Sequence, residues 1–327
     1  MKLLATARKL DAALGGVIRR VYRNLLQRAS AAGDREIRRA VRRQLGGAAY
    51  ARVGAIRLAY LPNQLEAVGW RVRGYTIEKI FSALGITPQP FNPFHPFDVI
   101  VNWQDLTVNV LDAAAYIERS YAHSRIKLPA DVRFVNFRCL DISKRRIAQI
   151  NERVFGYALD VDPTTHSGPA VCKSDANATR DGVLIDCPIP ADRIDPTKVY
   201  NLVIANLDAG EGVDFRVPWI GGFTGHFFEV RRPLEARFGT AVASARIRRI
   251  EDEFSPEEMS RLAQVCGEVG ADYGELDVLR DRVSGRLYVV DFAKTPAGPP
   301  RKLSAREKRD AIAIMATAFA RNILLKS

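Results

Sequence analysis

Two aspartates and two lysines carry most of the chemistry that this sequence offers. In "GELDVLRDRVSGRLYVVDFAKTP" two runs with strand character flank Val283-Ser284-Gly285, and Gly suits the left-handed position of a three-residue hairpin loop. A hairpin centred on Ser284 sets Asp277 opposite Asp291 and Glu275 opposite Ala293, with both aspartates on one face of the sheet. Directly opposed like charges destabilise a sheet, by about 0.2 to 1 kcal/mol, and a cation removes the repulsion. Oxygen donors with no His or Cys nearby favour Mg²⁺ or Mn²⁺. A solvated edge hairpin with both carboxylates in water fits the same spacing, and a bulge would shift the register by one residue.

The first lysine opens a helix. "CLDISKRRIAQINERVFG" predicts a helix with Asp141 as N-cap, Ile147, Ile150 and Val154 on one face, and Gly156 as stop. Lys144 then falls in the first turn, where the helix dipole opposes a cation, so the side chain calls for an anion or bulk water. In "PAVCKSDANATRDGVLI" a short strand delivers Lys173 into a turn of small polar residues closing on Asp181-Gly182. Small residues let backbone amides approach an anion, and the lysine adds a point charge. An ordinary surface hairpin carrying a lysine reads equally well.

Other chemistries find no support. The sequence has no GxxxxGK[ST] and no GxGxxG, and His95, His123, His166 and His226 stand apart without metal-ligand spacing. His95 sits in the Pro-rich loop "TPQPFNPFHPF" and reads as a packing residue. Cys139, Cys172, Cys187 and Cys266 form no CxxC pair, which argues against a zinc ribbon or a disulfide framework and fits a reducing cytoplasm. Cys172 and Cys266 read as core thiols.

The elements that position these residues follow from periodicity. From about residue 50 "AIRLAY" and "PFDVIVNW" read as strands, and "YTIEKIFSAL" reads as a helix capped by Gly85. Ser255 with Pro256 and Glu258, and Ser304 with Glu307, predict capping boxes at two later helices. At 327 residues, 47% hydrophobic and 26% charged, the chain is globular and long enough for two domains. No apolar run reaches the length of a membrane span, and no secretory signal is visible.

The net charge of +12 sits entirely at the front. Residues 1–73 hold 16 Lys and Arg against Asp11, Asp34, Glu36 and Glu66, which leaves the remainder balanced at 33 of each sign. Leu3, Ala7, Leu10, Leu14, Val17, Val21 and Leu25 recur at helical spacing with arginines off the stripe, although Gly15-Gly16 weakens a single long helix. A second basic helix near "DREIRRAVRRQL" ends at Gly46-Gly47. Such a segment docks on its own protein, rests on an anionic membrane surface through residues 1–45, or, least favoured, binds nucleic acid.

Taken in order, these motifs resemble the ATP-grasp superfamily, in particular its carboxylate-amine ligase-like members. The resemblance spans roughly residues 131 to 300 and rests on the Lys opening a helix after "LD", "VCKSD", "VYNLVIAN", "VDFRVPWIGG", "GELDVLRD" and "VVDFAKTP". It implies an α/β and α+β protein: a basic helical extension over 1–47, an α/β pre-ATP-grasp domain over 48–130, and an ATP-grasp domain over 131–327 whose two subdomains clasp ATP. On that basis Lys144 and Lys173 face the α- and β-phosphates with Ser174 beside them. Val203, Ile204 and Asn206 read adenine, and Asp277, Asp291 and Glu275 hold Mg²⁺ or Mn²⁺. Arg216 or Arg231 clamps the γ-phosphate or acyl group. The implied reaction is ADP-forming activation of a small-molecule, glycan or peptide carboxylate as an acyl-phosphate for capture by an amine, in the cytoplasm or at the inner membrane face.

One departure bears on activity. The family pattern places Asn two residues after the second metal carboxylate, and this chain has Asp291-Phe292-Ala293. A degenerate protein that binds nucleotide or a partner without turnover is therefore the second expectation.

Overall fold

The computed structural model describes residues 32–61, 75–109, 113–124, 127–239 and 241–326. The apolar stripe expected between Leu3 and Leu25 lies outside the described residues. The second basic helix is α1 (32–45), and Gly46, at φ 82°, breaks it from α2 (Gly47–Gly54). Val41 and Val53 are buried, whereas Arg35, Arg39, Arg42 and Arg43 are exposed.

Strands β1 (Leu58–Leu61), β2 (Gln89–Pro90), β3 (Val99–Asn102) and β4 (Arg133–Val135) form a parallel sheet in the order β2-β1-β3-β4. Every residue of β3 is buried, as expected of a parallel strand covered on both faces. Helix α3 (Thr76–Leu84) ends at Gly85 in the left-handed conformation, and α4 is Ala113–Ser124. Because β4 belongs to this sheet, the parallel layer runs past residue 130. The Pro-rich segment between β2 and β3 buries Phe97 and leaves His95 exposed, so His95 does not pack as expected.

The rest of the chain builds two antiparallel sheets. Strands β5 (Gly168–Ser174), β6 (Val183–Cys187) and β7 (Lys198–Leu202) make a three-stranded sheet in the order β6-β5-β7. Strands β8 (Leu207–Asp208), β9 (Glu211–Ile220), β10 (His226–Pro233), β11 (Ser244–Arg249), β12 (Tyr273–Arg280) and β13 (Leu287–Ala293) make a larger one. Its order is β11-β10-β9-β12-β13, with β8 on β9. Helices α5 (Lys144–Phe155) and α6 (Pro256–Val269) share an apolar core with one face of it, through Ile147, Ile150, Leu262, Val265, Phe215 and Phe292. Helix α7 (Ala305–Phe319) packs with α1, α2, α3 and the parallel sheet. This is a mixed α/β fold with one parallel and two antiparallel sheets, in line with the α/β and α+β class expected from the sequence.

Local signals account for the helix ends. Both expected capping boxes form, at Ser255/Glu258 and Ser304/Glu307. At α5 the cap is Ser143 rather than Asp141: Ser143 accepts from the Arg146 amide, while Asp141 accepts from the Ser143 amide one turn earlier. Cys266 is buried as expected, but Cys172 is only half-buried. Gly270, at φ 73°, ends α6 where a Cβ would lie 2.4 Å from the Arg138 carbonyl oxygen. Gly270→Ala combines a left-handed backbone with a backbone clash, and it is expected to lower stability by about 2 to 4 kcal/mol, read as a shift in urea midpoint at unchanged slope.

Candidate active site

The aspartate pair is made by a bulge. Strands β12 and β13 leave their loop as Arg280↔Leu287 and Leu279↔Tyr288, one residue out of the register that a three-residue loop centred on Ser284 would give. The actual turn is held by Asp281 and Arg286, with Asp281 Oδ1 accepting from the Val283 and Ser284 amides. The register then shifts between Asp277 and Val278, leaving Val290 unpaired, and Asp277 faces Asp291 after all, with Glu275 facing Ala293. Asn151 of α5, fully buried, fixes this stretch by accepting from the Val289 amide at 2.9 Å.

The bulge also meets the lysine. Lys173, on β5 of the smaller sheet, donates from Nζ to the Val290 carbonyl at 3.5 Å. Burial pulls its pKa down to about 8, against the opposite pull of Asp291. Lys144 opens α5 as expected and donates from Nζ to the Ala176 carbonyl in the small-residue turn after β5. Both lysines act on the Asp291 carboxyl through space. The structure therefore brings Lys144, Lys173, Asp277 and Asp291 together from four separate stretches of chain.

Arg216 on β9 lies opposite Asp277, with Nε 3.6 Å from Asp277 Oδ1 and Nη1 3.7 Å from Glu275 Oε1. Glu275 is turned to this guanidinium and fully buried, and burial pushes its pKa up to about 7 despite the arginine. Among the described residues no three His, Cys, Asp or Glu side chains are placed to hold one ion, so Glu275 does not join the aspartates as a third ligand. Arg231 is not at the site. It alternates to the other face of β10 from Phe228, the partner of Arg216, and its guanidinium is taken by Glu229 at 2.9 Å and by Asp208. Ser174 stands at the root of the turn, where its hydroxyl donates to Asp181 and accepts from Lys198, so it organises the turn.

The segment 203–206 runs from β7 to β8 beside a cavity of about 140 Å³ lined by Lys173, Leu202, Ile204, Asn206, Asp214, Asp277 and Val290, among others. The Arg282 amide donates to the Ala205 carbonyl, and Asp281 accepts from the Ala205 amide, so the hairpin loop pins the segment. Asn206 donates to the Val213 carbonyl at 2.9 Å. Val203 is the residue between β7 and this wall. A larger cavity of about 360 Å³ lies among α1, α3 and α7, away from the aspartates. The smaller one joins an apolar wall to half-buried charges, which is the character of a ligand site.

Sequence reading missed Asp214, Arg237, Phe238 and Asp160. Asp214 shares its face of β9 with Arg216, and Arg232 holds it at 2.6 Å, so the alternation in "VDFRV" was a usable signal. Arg237 donates to the Ile204 carbonyl and, at 2.6 Å, to Asn206 Oδ1, while Phe238 lines the cavity beside it. Nothing in "EARFG" announces that role. Asp160 accepts from Asn201 at 2.5 Å, and burial pushes its pKa up to about 6.

Desolvation and a facing carboxylate set the electrostatics of Asp291. Asp291 is half-buried and, among the described residues, makes no ion pair and accepts only from the Phe292 amide. Its pKa is pushed up to about 6, first by desolvation, with the facing Asp277 adding to the rise and the two lysines opposing it. A desolvated carboxylate with an anionic neighbour takes up a proton or a metal ion. The donor set, two carboxylates with no nitrogen or sulfur, suits Mg²⁺ or Mn²⁺.

No protein-family model and no curated protein matches this chain. Solved structures do, and they are similar at low identity. The VanG D-Ala:D-Ser ligase from Enterococcus faecalis aligns over 69% of this chain and 73% of its own at 12% identity and a TM-score of 0.44. The ATP-grasp ligase PsnB, complexed with a minimal precursor, aligns over 82% and 99% at 16% identity and 0.45. The D-cycloserine synthetase DcsG aligns over 81% and 98% at 14% identity and 0.45. Among the described residues no helix is long and apolar enough to cross a membrane.

Proposed function

We propose that this chain is an ATP-dependent, ADP-forming ligase that activates a carboxylate on a small molecule, glycan or peptide. The observation that carries the reading is the facing pair Asp277 and Asp291, set by a bulge whose freed carbonyl meets Lys173. In this reading adenine lies against Ile204 and Leu202, and Lys144 and Lys173 neutralise phosphate oxygens from the smaller sheet and the helix start. Asp277 and Asp291 would hold Mg²⁺, which when bound supplies positive charge to the phosphates. Arg216 keeps its guanidinium charged between Asp277 and Glu275, so it orients Asp277 and offers its remaining N–H groups to the transferred phosphoryl group.

The substrate carboxylate oxygen attacks the γ-phosphorus, the bond to the β,γ-bridging oxygen breaks, and ADP leaves. An amine then attacks the acyl carbon, the bond to the phosphate oxygen breaks, and inorganic phosphate leaves as the amine loses its proton. Positioning and charge neutralisation supply the rate, and no side-chain nucleophile is required. Thermal shift with ATP, with and without Mg²⁺, tests the nucleotide part, and ADP release requiring both a carboxylate and an amine tests the reaction. No Mg·ATP shift sinks the reading.

Ala293 favours a second reading, a nucleotide-binding protein without turnover. Ala293→Asn returns a neutral oxygen donor opposite Glu275, and a contact of that kind to a charged group contributes about 1.5 to 3 kcal/mol. The expected result is Mg·ATP affinity or turnover raised at least tenfold, measured by titration calorimetry and ADP release. An unchanged value in both means that the Glu275–Arg216 pair leaves no room for a third donor.

A further inference from the structure

Three residues beyond Asp291 another buried cation stands without a counter-ion among the described residues. Lys294 is 2% exposed, and its one hydrogen bond among the described residues goes from Nζ to the neutral Asn109 Oδ1 at 2.6 Å. No carboxylate among the described residues pairs with it. The nearest acids act on it only through space: Asp105 is taken by the Thr295 hydroxyl at 2.7 Å, and Asp141 by the Ser143 amide at 2.8 Å. The amide nitrogen of the same Asn109 is buried and has no partner. An ammonium with two unused N–H groups beside an unused amide NH₂ is a pair of donors waiting for an anion, and leaving such groups buried and unmatched is costly.

The location fits a ligand. Asn109 lies on the segment leaving β3 at the carboxyl end of the parallel sheet, where open α/β sheets receive small molecules. The same exit carries two more buried, unpartnered acceptors, Asn102 Oδ1 and Gln104 Oε1. Thr107 accepts from the Asn177 amide of the turn after β5, and Val108 bridges to Asp141, three residues before Lys144. The segment therefore borders the lysine at the start of α5. Lys294 follows the last residue of β13, and the groups that act on it through space are Cys139, Asp105 and Asp141 rather than Asp291. A carboxylate held by Lys294 is thus not the one presented to the aspartate pair.

We propose that Lys294 and Asn109 anchor a carboxylate that does not react, so that the substrate carries an anionic group besides the one that is activated. Assigning the anion to the substrate rests on the ligase reading, whereas the anion site itself does not.

Acetate and succinate, each against its amide at constant ionic strength and without nucleotide, are titrated calorimetrically into the full chain. Wild type is expected to bind one or both carboxylates saturably and neither amide. Asn109→Asp supplies the missing counter-ion internally, so it should raise the melting temperature and weaken carboxylate binding at least tenfold while leaving the Mg·ATP shift in place. Lys294→Gln should also lose the carboxylate. Equal binding of acids and amides, no binding by wild type, or wild-type affinity in Asn109→Asp overturns the proposal. Carboxylate binding that survives in a protein showing no Mg·ATP shift refutes the ligase reading alone and leaves the anion site standing.

Discussion

Asp291→Asn is expected to raise the melting temperature of the nucleotide-free protein at neutral pH and, in the same variant, to abolish the Mg²⁺-dependent part of ATP binding. The carboxyl's pKa is pushed up to about 6 from an ordinary 3.8, first by desolvation and further by the facing Asp277. A group whose folded pKa is raised binds its proton longer in the folded state than in the unfolded one. Stability therefore falls as pH rises from about 4 to about 6, and above that window the ionised side chain costs on the order of 2 kcal/mol. The neutral amide removes that cost and keeps the shape. It also removes one of two charged ligands, for which Mg·ATP affinity should drop at least a hundredfold. Thermal denaturation from pH 4 to 8, with and without Mg·ATP, reads both halves. A variant that is less stable at pH 7.5 would mean that Asp291 is held by charge rather than strained by its absence. A retained magnesium effect would remove the metal from the aspartate pair.

Lys173→Met should separate binding from folding in the same way through the opposite charge. Lys173 is half-buried, and desolvation pulls its pKa down to about 8 from 10.5. For a base lowered in this way the unfolded chain holds more protons between about 8 and 10.5, so native stability climbs with pH across that interval and the desolvated charge is a burden below it. Met matches the length of the stem and carries no charge, and apo stability at pH 7 should hold or rise. Nucleotide affinity should fall by about 2 to 4 kcal/mol, roughly 30- to 1000-fold, because a phosphate oxygen loses a desolvated cation. Equilibrium dialysis with labelled ATP gives the affinity and urea denaturation gives the stability. If Lys173→Met unfolds more easily yet binds ATP as wild type does, Lys173 is a structural prop for the Val290 carbonyl and nothing more.

The register of the aspartates illustrates how sequence and tertiary structure divide the determination. The turn chemistry of "RDRVSGRL" marks a hairpin, and Gly285 does adopt the left-handed conformation at φ 73°. The loop itself is longer than Ser284-centred counting allows, and continuing its actual register without a bulge would set Asp277 opposite Val290. Only the bulge restores the opposition, and Asn151, which fixes the strand beside it, comes from a helix more than a hundred residues earlier. Bulges depend on such remote contacts, so short-range patterns cannot locate them.

What the sequence by itself determined is what local rules govern: the capping boxes, the glycine helix ends, the buried parallel strand, and the residue types able to hold phosphate and metal. Those follow from backbone sterics and hydrogen bonding within a few residues. Only the tertiary structure decided which charges share a site. It joined Lys144, Lys173, Asp277, Asp291 and Arg216 and sent Arg231 to the far face with Glu229 and Asp208. It brought Asp214 and Arg237 into the cavity wall and left Lys294 buried beside Asn109 without an anion. The physical reason is that the energy of a buried charge is set by what the fold stacks around it, and those neighbours come from anywhere in the chain.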